Sequence, residues 1–89
     1  MSYKFNYIVE IRDDSGKEVE EKKQYESDQF NKAEEEYTRL KKAYELADAK
    51  VITISLSIRI EEEEWDKRNE CNELVIDEYL MEEVIINNL

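Results

Sequence analysis

Val51-Ile52-Thr53-Ile54-Ser55-Leu56-Ser57-Ile58-Arg59-Ile60 decides the fold. Every even position in this stretch is Ile or Leu, and the odd positions are Val51, Thr53, Ser55, Ser57 and Arg59. Successive side chains of a strand point to opposite faces, so this period of two describes a strand with one face on a core and the other largely polar. Such a strand needs a neighbour and a covering layer, and the preceding residues supply both. Tyr3, Phe5, Tyr7, Val9 and Ile11 alternate with Lys4, Asn6, Glu10 and Arg12, Ile8 being the exception, and form a second half-buried strand. The chain's one Gly, Gly16, closes the turn-forming run Asp13-Asp14-Ser15-Gly16, which predicts a β-hairpin with positive φ at the glycine. The return strand, about 17–25, offers only Val19 and Tyr25 as apolar side chains among Lys17, Lys22, Lys23 and several Glu. That is the composition of a protected edge.

The covering layer is a helix over roughly 28–48. Phe30, Ala33, Tyr37, Leu40, Tyr44 and Ala47 recur at helical spacing, with Ser27 as the expected N-cap and Asp28 beside it at the positive end of the dipole. Glu34, Glu35, Lys41, Lys42 and Glu45 fall on its solvated side. A right-handed connection then returns the 51–60 strand beside the first, with the first strand in the middle.

The last third reads less simply. Glu61-Glu62-Glu63-Glu64-Trp65-Asp66 suits an extension of the third strand, a loop or a helix start. Leu74, Val75, Ile76, Tyr79, Leu80, Met81, Val84, Ile85, Ile86 and Leu89 spread around most of a helical wheel, which asks for more than one covering partner. The alternative is a short strand, Leu74–Ile76, followed by a helix capped by Asp77. The expected fold is therefore α+β: a ββαβ three-stranded sheet with one long helix on one face and a C-terminal helix. Residues 1–89 make a single domain, without internal repeat or linker, that buries only about 60–65% of its unfolded surface.

Composition excludes much chemistry. With no His, no Pro, one Cys and one Gly, the chain lacks the usual means for metal sites, thiol catalysis and glycine-rich phosphate loops. Cys71 has no His to act as its base and no second Cys to pair with, and is read as a small residue at an element boundary. Asp13–Gly16 lacks the ligand spacing of a calcium loop and is read as a turn. The carboxylate runs lie in hydrophilic segments where solvent screens them. No catalytic residue, cofactor or metal site is expected. No apolar run has the length of a membrane span or a secretory signal, and the expected compartment is the cytoplasm.

Charge is the distinctive feature. The net charge is −11, from 24 acids and 13 bases, which argues against direct contact with nucleic acid or anionic lipid and for a basic protein partner. Residues 1–25 hold five bases and six acids, residues 26–50 five and seven, and residues 51–89 three and eleven. Glu61, Glu62, Glu63, Glu64, Asp66 and Glu70 surround Trp65, the sole Trp, so that an acidic rim and an aromatic anchor form the expected partner-binding site. If this run is a strand, alternate carboxylates repeat at about 6.6 Å, the scale of successive phosphates on a nucleic-acid backbone. The competing reading is a solvated Glu run with Trp65 packed on the core. The alternative function is a structural or assembly module, in which the apolar C-terminal segment docks on a partner or forms a homodimer that buries Leu80, Val84, Ile85 and Leu89.

In size, acidity, ββαβ-like start and Lys/Glu/Asn/Ile-rich usage, the whole chain resembles small proteins of bacteriophages and mobile elements of low-GC bacteria, the anti-CRISPR and anti-restriction inhibitors among them. The resemblance is one of type, since those inhibitors share no signature from which residues carry over. It implies a non-enzymatic inhibitor that binds its target stoichiometrically, often by imitating nucleic-acid charge, in the host cytoplasm.

Overall fold

The alternation of residues 51–60 runs on through Glu61 to Trp65, and this long strand organises the molecule. The computed structural model describes residues 2–46, 50–65 and 71–88. Its elements are β1 (Ser2–Asp13), β2 (Lys23–Glu26), α1 (Phe30–Tyr44), β3 (Val51–Trp65) and β4 (Cys71–Asn87). The four strands form one antiparallel sheet in the order β2-β1-β3-β4. β1 lies between β2 and β3, and β4 takes the far edge beside β3.

The core is the helix face of β1 and β3. Ala33, Tyr37 and Leu40 of α1 are buried against Tyr7, Val9 and Ile11 of β1 and Ile52, Ile54 and Leu56 of β3. The register sets Ile11 opposite Ile54 and Val9 opposite Leu56, so the alternating residues of both strands meet on one face. α1 starts later than expected: its N-cap is Gln29, whose carbonyl accepts the N–H groups of Lys32 and Ala33, and Ser27 and Asp28 lie before it. Lys41 and Lys42 stand in its last turn, where the dipole favours cations. Ala47, in the expected continuation, lies outside the described residues.

The β1–β2 connection carries the expected turn. Gly16 has φ of 84°, and the Asp13 carboxylate accepts the backbone N–H groups of Ser15 (2.9 Å) and Lys17 (3.0 Å). These bonds hold the Asp13 carboxyl below the usual range, the Ser15 hydroxyl contributing most. After an isolated bridge from Arg12 to Glu18, the return chain rejoins β1 only at Lys23, so β2 is shorter than the expected 17–25. The intervening segment is tied to α1 instead. Glu20 accepts a hydrogen bond from the Tyr44 hydroxyl (2.6 Å) and an ion pair from Arg39 (3.1 Å), while Arg39 also pairs with Glu36, which Lys23 reaches at 3.3 Å.

The expected three-stranded sheet with a C-terminal helix is overturned by β4. Residues 71–87 form a fourth strand, and α1 is the one helix among the described residues. The wheel analysis failed because β4 has 17 residues against 15 in β3, and the excess is taken up at register shifts opposite Leu56/Ser57 and Ile60/Glu61. The residues without a partner there are Met81 and Ile76, each bulged out of the ladder. Each bulge delays the alternation by one residue. Apolar triplets Leu74-Val75-Ile76, Tyr79-Leu80-Met81 and Val84-Ile85-Ile86 therefore recur every five residues, separated by Asp77-Glu78 and Glu82-Glu83. Asp77 caps no helix: its carboxylate accepts the N–H of Glu78 within the strand (2.8 Å).

Two measurements check this description. Ile54→Ala removes a side chain with no solvent exposure and should lower unfolding free energy by about 3 kcal/mol in urea, against about 1 kcal/mol for Gly16→Ala. Glu20 is held below the ordinary carboxylate range first by the Tyr44 hydroxyl and then by Arg39; Glu36 is held there first by Arg39, with Lys23 adding to it. A depressed folded-state pKa contributes stability above the unfolded value, about 4.3 for Glu, and the contribution fades as pH falls through the folded value. The wild type should thus lose stability below about pH 4, whereas Glu20→Gln/Glu36→Gln should be less stable at neutral pH and show a shallower acid loss.

Candidate functional site

A helix of 15 residues is about 22 Å long, but the molecule extends 53 Å along its longest axis. The helix therefore covers only part of the sheet. Beyond its N-terminal end, past the contact between Tyr7 and Phe30 (ring centroids 5.2 Å apart), the apolar face continues with no covering element among the described residues. Tyr3, Phe5, Ile58, Ile60 and Tyr79, with Lys4 at the margin, line an open apolar groove of about 300 Å³. Phe5 stands edge-on to Tyr7 at 5.8 Å, which carries the buried aromatic row out into this groove.

Acidic side chains flank it. Glu62 lies opposite Tyr3, and Asp77 lies opposite Ile60. The Asp77 carboxylate accepts the Tyr79 hydroxyl, which holds Asp77 below its ordinary range and pushes Tyr79 above the usual phenol value. The opposite face of the sheet carries cross-strand ion pairs. Lys4 stands 3.8 Å from Glu61, and Arg59 stands 3.7 Å from Glu78. Asn6, Ile8, Ser57 and Glu61 are buried along the middle of that face, which accounts for Ile8 as the exception in the alternation of β1.

β4 has a different character. Val75, Ile76, Tyr79, Leu80, Met81 and Ile85 are all exposed, Leu80 by 58% and Ile85 by 61%. Among its described side chains only Val84 and Ile86 reach the core, and both are half-buried. Among the described residues, Glu62, Glu82 and Glu83 have no cationic partner.

The expected partner-binding residues are distributed by strand geometry. Glu61 to Trp65 are positions of β3, so the run is strand and not loop or helix. Glu61 is buried on the face away from α1, and Glu62 is half-buried on the helix face. The carboxylates of the run therefore do not share one surface. The side chains of Glu63, Glu64 and Trp65 are outside the description, and Asp66 and Glu70 lie outside the described residues. Of the expected oligomer interface, Leu80 and Ile85 are exposed on strand β4, Val84 packs against the core, and Leu89 lies outside the described residues. Missing from that reading were the groove residues Phe5, Ile60 and Tyr79 and the acidic pairs of β4. Their signal was the five-residue triplet-and-pair pattern, together with an apolar face longer than the helix.

Among the described residues, no group of three or more His, Cys, Asp or Glu side chains is arranged to hold a metal, and no helix is long and apolar enough to cross a membrane. No protein-family model, curated protein or solved structure matches the chain.

The exposed residues of β4 contribute little to holding the monomer together. Leu80→Thr and Ile85→Thr, which retain strand-compatible side chains, should each change unfolding free energy by no more than about 1 kcal/mol, well below the loss in Ile54→Ala. Chemical denaturation of the variants in parallel measures the contrast.

Proposed function

We propose that this protein is a non-enzymatic, acidic protein-binding inhibitor or adaptor. Its target in this reading is a basic protein that handles nucleic acid, whose nucleic-acid-binding site it occupies by charge mimicry. The observation that carries the reading is the joining, toward the β4 side of the sheet, of acids without a cationic partner among the described residues to uncovered apolar side chains: Glu62, Asp77 and Glu82 with Phe5 and Tyr79 on the helix face, and Glu83 with Leu80 and Ile85 on the opposite face. Acid alone steers association and makes it salt-sensitive, whereas desolvated aromatic and aliphatic anchors supply most of the binding energy. Glu62, Asp77, Glu82 and Glu83 supply the first, and Phe5, Tyr79, Leu80 and Ile85 the second. A cytoplasmic setting and a role against host defence, as in the phage inhibitors that the chain resembles in type, belong to the same proposal.

Exposure of Leu80 and Ile85 favours a second reading, an assembly module that joins copies through β4. The acidic pairs between the apolar triplets oppose it.

Capture from a bacterial lysate on the immobilised protein tests the first reading. One basic protein should be retained at low salt, released by competing duplex DNA, and weakened by about tenfold in affinity at high salt. Glu62→Lys/Glu64→Lys should weaken the same capture while its circular dichroism remains that of the wild type. Capture that is indifferent to salt, DNA and charge reversal would sink the reading.

A further inference from the structure

β4 is an edge strand of 17 residues, and its side away from β3 pairs with no other strand among the described residues. A strand edge left open in this way exposes a row of N–H and C=O groups, which is a template for another chain. Short edges, cationic side chains and bulges are the usual protections. β2, at the other edge, is short and begins at Lys23. β4 is long and contains no Lys or Arg. Its two bulges divide the edge into three regular stretches, Cys71–Val75, Asp77–Leu80 and Glu82–Asn87.

The five-residue pattern restricts what can pair there. In a two-fold antiparallel pairing of β4 with its own copy, any register that matches more than one apolar triplet also sets an acidic pair opposite an acidic pair, and the registers centred on Val75 or Ile85 match a single triplet each. Other shifts that relieve that repulsion place carboxylates against Tyr79-Leu80-Met81 or Val84-Ile85-Ile86. Like charges directly opposite destabilise a strand pair, and desolvating an unpaired carboxylate beside an apolar side chain costs more. A chain with cations where β4 has acids meets neither penalty.

We propose that the outer edge of β4 accepts, by strand addition, an extended basic segment of the partner protein. Its cationic pairs face Asp77-Glu78 and Glu82-Glu83, and its apolar residues lie beside Tyr79-Leu80-Met81 and Val84-Ile85-Ile86. The cationic pairs repeat every five residues, about 16 Å along the strand. Backbone hydrogen bonds supply the pairing, and the alternation of charge and apolar surface sets the register. On the helix face the added strand lies beside Tyr79, at the rim of the open groove. This inference rests on the reading of the protein as a module for a basic partner, and it names the surface and the form of the ligand.

The test uses the full chain and a synthetic peptide in which Lys-Lys pairs alternate with Thr-Val-Thr triplets. Its controls are a scramble of the same composition and the same peptide N-methylated at alternate backbone nitrogens. Fluorescence polarisation should show the matched peptide binding at least about tenfold more tightly than either control, and Glu82→Lys/Glu83→Lys should lose about tenfold. Hydrogen exchange should show new protection confined to alternate amides between Val75 and Ile86, a readout that loose charge attraction does not move. Equal binding of all cationic peptides without that protection overturns strand addition and leaves the basic-partner reading standing. So does failure of the peptide to bind when a DNA-displaced basic protein is still captured. Failure of both experiments removes both readings. A concentration-dependent dimer by light scattering, with the same amides protected and no peptide bound, makes a second copy the occupant and overturns the inference.

Discussion

The structure depends on the packing of Ala33, Tyr37 and Leu40 against the central residues of β1 and β3. Among the described residues this is the only substantial apolar layer, and the other elements are placed by it. β2 is held at the sheet edge by four paired residues and by Lys23, which reaches Glu36 on the helix. The segment before β2 is held by Glu20, through Tyr44 and Arg39. The helix thus anchors one end of the molecule, while the sheet beyond it relies on strand pairing, above all the long ladder between β3 and β4.

That division of labour explains which parts of the fold are legible in the chain. β1, α1 and β3 each place apolar residues along one face, so their periods of two and three to four are legible, with Ile8 the one exception in β1. β4 buries little, and Ile76 and Met81 interrupt its alternation. A strand with a bulge every five residues spreads its apolar positions around a helical wheel, and charge gives no way to distinguish the two. The β-branched and aromatic content of Val75, Ile76, Tyr79, Val84, Ile85 and Ile86 favoured a strand, but propensity is weak when the period points elsewhere. The candidate surface was legible in its charge and illegible in its geometry. The concentration of acid after residue 60 stands out at once, yet the run at Glu61 and Glu62 is divided between two faces by the strand that carries it.

Charge and exposure have different consequences on the two faces of this sheet. Opposite α1, Lys4 and Arg59 compensate Glu61 and Glu78 across neighbouring strands, so part of the acid there is spent internally. On the helix face, Glu62 and Glu82 have no such neighbour among the described residues, and the apolar groove lies between the end of the helix and the strand edge. A ligand approaching from this side meets an unscreened field first and an apolar floor second. That order favours rapid encounter followed by selective retention.

The unequal lengths of the paired strands have a further mechanical meaning. With 17 residues set against 15, β4 is the outer lane of a curved track, and the curvature is concentrated at Ile76 and Met81. A straight, stiff ribbon laid along that lane would lose step at each bend. In the proposed strand addition, selection at this edge would be made by pliancy as well as by chemistry: a segment that is unstructured until it arrives can follow the turns, while a strand already fixed in a flat sheet cannot.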